Sequence, residues 1–570
     1  MISRSPRFLP MLIVWLALLG AAPSLATGSR KFFDDDPLPR TPETADASRA
    51  KPWDIDLFLD ILTNLFGKPG EEVAYVRAQN VNTIDEVPDS SWFTNRIFAR
   101  PVSIDEAVRG PVTSSGPAPG TWSVVRPKLA GVSPGFTMRD AAGETWFVSF
   151  DARGYPEAAT GAILIANKIF WTLGYWQVEN HLVTVRPDRI AIDAGATVVP
   201  PSGERRPMKR GDLDDVWRRA HRAADGTYRA VAGRAVPGHV LGGFKYYGTR
   251  PDDPKDVVPH EHRRELRALK VFGAWTNLVD MKAGNTLDTL VTEEGRARVR
   301  HYLQDVGSTF GTGARAPRDY AEGWEHAYEG GPTWKRLVTL GFYLRPWQTT
   351  RYVEHPAIGR FEAEAFDPKT WKPRVPTAAF RHARADDNFW AAQRVRAFSD
   401  DMIRAIVKTG RYSDPKAEAL LADVLIKRRD KIAQTYLPAL NPLVNFALDA
   451  SGRVTFENAA MMADVARVPS GGYTVTWARF DNLSGQTTPI GSVAAQPTAV
   501  AAVLAANTTP STGAAEQARA PGPLPTAIGA FVKLRIAATD SAHPSWATPV
   551  DVYFRRTASG WTLVGLERLP

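Results

Sequence analysis

The sequence predicts an α+β fold in which a strand-rich portion, a helical portion and a second strand-rich portion follow one another along the chain. Three observations predict it. Between about 120 and 190 apolar and polar residues alternate with period two before an Ala-rich helical stretch; from Pro259 to about 445 the apolar spacing is mostly helical; after about 470 short alternating runs return, bounded by turn residues. With 44% hydrophobic and 10% aromatic side chains, the 570 residues suffice for full cores, which excludes a disordered or fibrous chain. At about 150 residues per domain the length suggests three or four units. The 44 glycines and 44 prolines imply long loops.

In chain order, Arg4 and Arg7 precede an apolar run from Phe8 to Leu19 and a small-x-small site at Ser24-Leu25-Ala26, the pattern of an export signal cleaved after Ala26. The run is shorter than the ~20 residues a membrane span needs, although an uncleaved anchor is the alternative reading. A secreted or periplasmic protein with no integral membrane span after cleavage is therefore expected. Without cysteines there are no disulfides, no thiolate catalysis and no Cys-ligated zinc. Seventy Lys and Arg against 61 Asp and Glu give +9, and loss of Arg4 and Arg7 leaves about +7. No long basic run interleaved with aromatics is present, so nucleic acid is not an expected partner.

Residues 27 to about 50 read as a polar lead-in, and WDIDLFLDILTNLF (Trp53–Phe66) as a short amphipathic helix. TWSVVRPKL, FTMRD and TWFVSFD predict strands, with a turn at Ala142-Gly143; a helix from about Glu157 to Leu173 stops at Gly174, and VENHLVTV resumes a strand. Residues 201–235, rich in Arg, Asp and Gly, read as a solvated insertion or irregular helix. HEHRRELRALKVFGAW and FWAAQRVRAFSDDMIRAIVKTG each predict one helix, and Ser413-Asp414-Pro415 opens a third. YTVTWARFDN, FVKLRIAATD, VDVYFRRT and GWTLVGLERL predict a small β-domain, with 491–523 as a Pro/Ala/Thr linker. Trp171, Phe272 and Trp275 read as core, the IKRRDK run (Ile426–Lys431) as the wet face of its helix, and no internal repeat is visible.

The chemistry concentrates in Asp280-Met281-Lys282-Ala283-Gly284-Asn285 and in Asp305-Val306-Gly307, which follows the strand-like ARVRHYLQ. Phosphoryl transfer needs a carboxylate to orient the attacking hydroxyl, an amide and a second carboxylate to hold Mg²⁺, and a cation to offset charge on the γ-phosphate. Asp280 suits the base, Lys282 the phosphate contact, and Asn285 with Asp305 the metal; Gly307 permits a tight reversal beside them. The bland alternative is a pair of capped turns. Gly131-Val132-Ser133-Pro134-Gly135 would be a loop over the phosphates. It also matches a G-x-S-x-G elbow, but that elbow needs the N–H after the serine and Pro134 has none, which argues against a serine hydrolase. His260, His262 and Glu265 invite a metal reading, yet on a helix positions two apart diverge, so solvated or capping roles are expected.

On D-x-K-x-x-N followed by D-x-G, and on the order of strands, helix and helical portion, the sequence resembles the protein-kinase-like superfamily, in particular its atypical HipA-type and CotH-type members. The resemblance implies a two-lobed body, a β-rich lobe at 116–255 and a helical lobe at 256–445, preceded by a helical extension (27–115) and followed by a β-sandwich-like domain (446–570). It implies ATP and Mg²⁺ between the lobes and phosphate transfer to a hydroxyl of a protein or small-molecule acceptor. In such kinases the third strand carries a lysine paired with a helix glutamate. Here Ser149 stands in WFVSFD; Glu157 is the nearest glutamate but opens the helix, and Ile163 follows where the partner is expected. Lys128 or Lys168 could substitute. PDSSWFTNR (Pro88–Arg96), GVSPGF (Gly131–Phe136), PHEHRRELR (Pro259–Arg267) and HYLQDVGSTFG (His301–Gly311) also resemble a group of exported bacterial proteins of unknown function. Two alternatives stand beside a kinase: a pseudokinase scaffold, and a cell-envelope glycan-binding protein using Tyr553 and Trp561, residues read more simply as sheet packing.

Overall fold

The computed structural model describes residues 30–70, 75–128, 133–200, 203–497 and 515–568. The expected export signal and Gly131 lie outside the described residues. Asp56 caps α1 (Leu57–Leu62) by accepting from the Leu59 N–H, and the helix continues as a π-turn over Thr63–Gly67. Ser103 likewise caps α2 (Ile104–Arg109).

A six-stranded sheet follows, built of β1 (Trp122–Pro127), β2 (Gly135–Arg139), β3 (Thr145–Phe150), β4 (Asn180–Val185), β5 (Ile190–Ile192) and β8 (Tyr228–Arg234) in the order β4-β8-β3-β2-β1-β5. The α3 helix (Ala158–Leu173) packs on it and ends at Gly174, whose φ of 128° suits glycine. A ladder of β6 (Thr197–Val198) with β7 (Arg206–Pro207) and helix α4 (Arg210–Arg219) complete this part; Leu213 and Val216 of α4 join Trp146, Phe150 and Tyr228 in its core. Residues 201–235 are thus more than a solvated insertion, because β8 lies between β3 and β4. Its Ala230-Val231-Ala232-Gly233 is buried on both faces, so no alternation marks it as a strand.

The chain then forms β9 (His239–Gly242), β10 (Leu287–Glu293) and β11 (Arg296–Tyr302), an antiparallel sheet ordered β11-β10-β9. Where one helix was expected from His260, a 3₁₀ turn (His260–His262) precedes α5 (Arg264–Arg267) and α6 (Leu269–Thr276). His260 and His262 are buried, a correction to their expected solvated or capping roles: His260 contacts Asp256 at 2.7 Å, and Arg267 contacts His262 at 2.6 Å. Ionic partners inside the fold made burial of these polar rings possible.

Helices α7 (Gly330–Val338), α8 (Pro346–Thr349), α9 (Ala378–His382), α10 (Ala385–Arg396), α11 (Asp400–Lys408) and α12 (Pro415–Tyr436) follow. Ser399 caps α11 and so splits the second expected helix in two, while Asp414 caps α12 with proline at its start, as expected. The IKRRDK run is a wet face only in part. Arg428 and Arg429 are buried, and Arg428 donates to the Glu362 and Ala274 carbonyls while lying over Phe361 and Phe366.

Two antiparallel sheets close the chain. One orders β12 (Leu443–Leu448), β13 (Arg453–Asn458), β17 (Ala515–Arg519) and β16 (Gln496–Pro497); α13 (Ala459–Met462) follows β13. The other orders β15 (Thr487–Ala494), β14 (Tyr473–Phe480), β18 (Phe531–Ala538), β19 (Val550–Thr557) and β20 (Gly560–Arg568). Trp477, Trp546 and Val552 share one hydrophobic core with Trp275 and Leu425 of the helices. Within the stretch expected as a linker, β16, β17 and the end of β15 are strands. No helix among the described residues is long and apolar enough to cross a membrane.

Candidate functional site

The site is built where the loop after α6 meets the loop after β11. Asn277, in the left-handed conformation, stops α6, and Asp280 to Asn285 turn into β10 through a 3₁₀ turn at Ala283–Asn285. After β11, Leu303 is held by the Trp176 carbonyl and by the Gln177 amide, which directs the chain past the start of α3. Asn285 joins the two loops. Its side-chain amide donates to the Asp280 carbonyl at 2.6 Å, and its own carbonyl accepts from the Asp305 N–H at 3.0 Å.

Within this knot Lys282 Nζ lies 2.9 Å from Asp280 Oδ2, and Arg318 approaches the same oxygen at 3.9 Å. Burial pushes the Asp280 carboxyl up, but Lys282, Arg318 and the Asn285 amide outweigh it and hold the group below the ordinary carboxylate range. Asp305 is exposed, and its Oδ1 accepts from the Gly307 N–H at 3.0 Å. Gly307 is needed for packing: a Cβ there would stand 2.8 Å from Ile163 Cγ1. Ile163 of α3 therefore seats directly on the D-x-G turn, at the position where the family resemblance looks for a glutamate.

The remaining expected residues gather on the six-stranded sheet. Lys128 continues the β1–β2 ladder by donating its N–H to the Gly135 carbonyl at 2.9 Å, and its Nζ lies 3.4 Å from Ser149 Oγ on β3. Gly135 pairs with Ser149 across the ladder, and a Cβ on it would stand 2.3 Å from the Val148 carbonyl oxygen. A lysine thus reaches the expected place from the end of β1, across β2. Ser133 is half-buried just ahead of β2. Lys168 is buried, and its stem packs against Gly110 at the end of α2.

Glu157 is drawn elsewhere. It opens α3 in the left-handed region with φ 67°, and its carboxylate accepts from the N–H and hydroxyl of Ser413 at 2.9 and 3.1 Å. The lysine–glutamate pair is not formed between these two residues. Instead Asp151, buried after β3, accepts from the N–H and hydroxyl of Thr160 at 2.8 Å each and ties the strand to the first turn of α3. Burial raises its carboxyl against the pull of these donors and of Arg229.

Two residues were missed by sequence reasoning. Arg318 donates to the Ser308 hydroxyl beside Gly307 and faces Asp280. Glu322 is raised by burial, with Asp280 and Asp319 adding to the rise against Arg318 and Arg374. A cavity of about 20 Å³, room for one water, lies between Glu322, Tyr352, Arg360 and Arg428. Neither residue sits in a motif; only the chain's return after Gly311, whose carbonyl accepts from the Arg318 N–H, brings them in.

For a divalent cation, the donor chemistry fits Mg²⁺ held partly by substrate. No group of three His, Asp or Glu side chains among the described residues could form a cage. Asp305 and Asn285 would supply two oxygens, with phosphate and water supplying the rest, as Mg²⁺ sites commonly do.

No family model and no curated protein matches the chain. Among solved structures it is similar to the Golgi casein kinase, at 9% identity and a TM-score of 0.26 over 70% of this chain and 96% of that one. A second structure of that kinase, with Mn/ADP bound, gives 9% identity and a TM-score of 0.27 over 70% of this chain and 95% of that one. A superposition this loose bears on neither fold nor function.

Proposed function

We propose that this is an exported kinase-like protein that binds ATP and Mg²⁺ between the six-stranded sheet with α3 and the helical portion, and transfers phosphate to a hydroxyl acceptor. The observation that carries the reading is the Asn285 link: its side-chain amide donates to the Asp280 backbone carbonyl and its backbone carbonyl accepts from the Asp305 N–H, so that the half-buried Asp280 and the exposed Asp305 flank one residue. Asp280, kept ionised by Lys282 and Arg318, would accept the proton of the attacking hydroxyl. Lys282 and Arg318 would then meet charge on the transferred phosphoryl group. Asn285 and Asp305 would hold the cation, which offsets charge on the phosphates when bound. Lys128, beside Ser149, would contact the α- and β-phosphates in place of the missing third-strand lysine.

The test is thermal stabilisation of the full chain by ATP with and without Mg²⁺. At a ligand concentration of 100 times Kd, binding adds about 2.7 kcal/mol. We expect that gain to require Mg²⁺ and to vanish in Asp305→Asn; stabilisation unaffected by that change overturns the site. Asp280→Ala should retain ATP binding and lower phosphate transfer by about 10²–10⁴.

A second reading, a pseudokinase that binds nucleotide without chemistry, is favoured by one observation: Lys128 has Ser149 as its side-chain partner while Glu157 is bonded to Ser413. Nucleotide binding with transfer absent in the parent chain and gained in Ser149→Lys would select it.

A further inference from the structure

We infer that the segment from Tyr328 to Val353 is a docking surface for an anionic lipid bilayer. In α7, Trp334, Leu337 and Val338 fall at i, i+3 and i+4, on one face, and are 63%, 65% and 57% exposed. Lys335 falls beside that face and Arg336 farther round the helix. Past the helix the backbone folds back on itself: Gly341 N–H donates to the Arg336 carbonyl, Phe342 N–H to the Thr339 carbonyl and Tyr343 N–H to the Thr339 hydroxyl. This ordered turn holds Leu340, Phe342 and Leu344 in water at 88%, 87% and 61% exposure. At the start of the segment Tyr328, itself exposed, packs its ring 5.1 Å from Phe66, which extends the apolar surface to the π-turn after α1.

Large apolar residues this exposed and this close together mark an interaction site. Charge selects the occupant. The single carboxylate between Tyr328 and Val353, Glu329, is bound by Lys372 at 2.7 Å. Arg345 is occupied by Glu325, but Lys335, Arg336 and Arg351 have no carboxylate partner among the described residues. An apolar ridge of Trp, Leu and Phe carrying three unneutralised cations, Lys335, Arg336 and Arg351, against one exposed acid at its end, Glu354, is the composition that seats in the headgroup region of an anionic membrane.

The test is co-sedimentation of the full chain with vesicles of phosphatidylcholine alone or with 30% phosphatidylglycerol. The chain carries Ile13→Asp and Leu16→Asp so that the apolar run from Phe8 to Leu19 contributes no binding. We expect partition into the phosphatidylglycerol vesicles and little into the neutral ones. Lys335→Gln with Arg336→Gln should lower the partition coefficient about 30-fold, about fivefold for each cation near the surface. Trp334→Ser with Leu337→Ser and Phe342→Ser should abolish it, with the melting temperature unchanged in both variants because these side chains are exposed. Equal partition into both vesicles, no partition at all, or variants that bind like the parent overturn the inference. So does a concentration-dependent dimer of the parent chain that the apolar variant abolishes, which would make a second copy the occupant.

Discussion

Two clusters of charged residues in this molecule have similar composition and opposite character. Around PHEHRRELR, Arg264 contacts Asp85, Asp386 and Asp387 at 2.8, 3.1 and 3.1 Å, Arg267 shares Asp387, and all five side chains are buried. Nearby, His301 contacts Asp288 at 2.7 Å, stacks 3.6 Å from Trp92, and shares Asp288 with Arg250. Around Asp280 the same residue types leave an exposed carboxylate on Asp305 and a half-exposed amine on Lys282. Charges that bind one another in a dry interior have little left to offer a substrate, whereas a site must keep groups uncommitted. The motifs of PDSSWFTNR, PHEHRRELR and HYLQDVGSTFG converge through Trp92, Arg263 and His301, with Arg263 4.3 Å over Trp92. The conspicuous His and Arg residues of the sequence therefore build the frame, and the plainer D-x-K-x-x-N and D-x-G turns face outward.

The largest effect that would break this contrast comes from the dry cluster. Arg264→Met leaves three carboxylates buried with one fewer cation, and should cost about 3–5 kcal/mol by chemical denaturation. The three carboxylate distances and complete burial of Arg264 predict that cost; a change below about 1 kcal/mol, the range of surface pairs, would place the cluster at the surface in energetic terms.

A smaller effect probes how the two halves meet. Gly307→Val drives a side chain into Ile163, and should destabilise by about 1–3 kcal/mol, as overpacking does. Gly307→Val with Ile163→Ala should recover most of it. Failure of the double change to recover stability would mean that α3 does not seat on the D-x-G turn.

Much of this was legible in the sequence where a local pattern carries its own cause. The α3 helix, its Gly174 stop, the β1–β3 meander and the Asp414-Pro415 start are set by alternation, capping and fixed φ, and each is found in place. The candidate site was read as two motifs that meet, an expectation taken from the family resemblance; the bonds that join their backbones, one from the Asn285 side chain and one from its carbonyl, leave no spacing signal. Arg318 and Glu322 were silent for the same reason. The errors share another cause: β8 has no alternation because both its faces are buried, and His260, His262, Arg428 and Arg429 enter the interior only because distant carboxylates, carbonyls and rings receive them.

An effect of similar size and opposite sign concerns a buried cation that belongs to neither cluster. Lys168, on α3, is 6% exposed, and burial alone lowers its pKa from 10.5 to about 8. The folded chain therefore binds that proton less readily than the unfolded chain. Between pH 8 and 10.5 the unfolded state holds more protons, so this residue makes stability rise with pH through that window, and below pH 8 its charge costs the fold in full. Lys168→Met should add about 1–3 kcal/mol at pH 7 and flatten the rise in melting temperature between pH 8 and 10. A methionine variant less stable than the parent at pH 7 would show that Lys168 has an ionic partner after all, and would move it from the unpaired class into the saturated frame represented by Arg264.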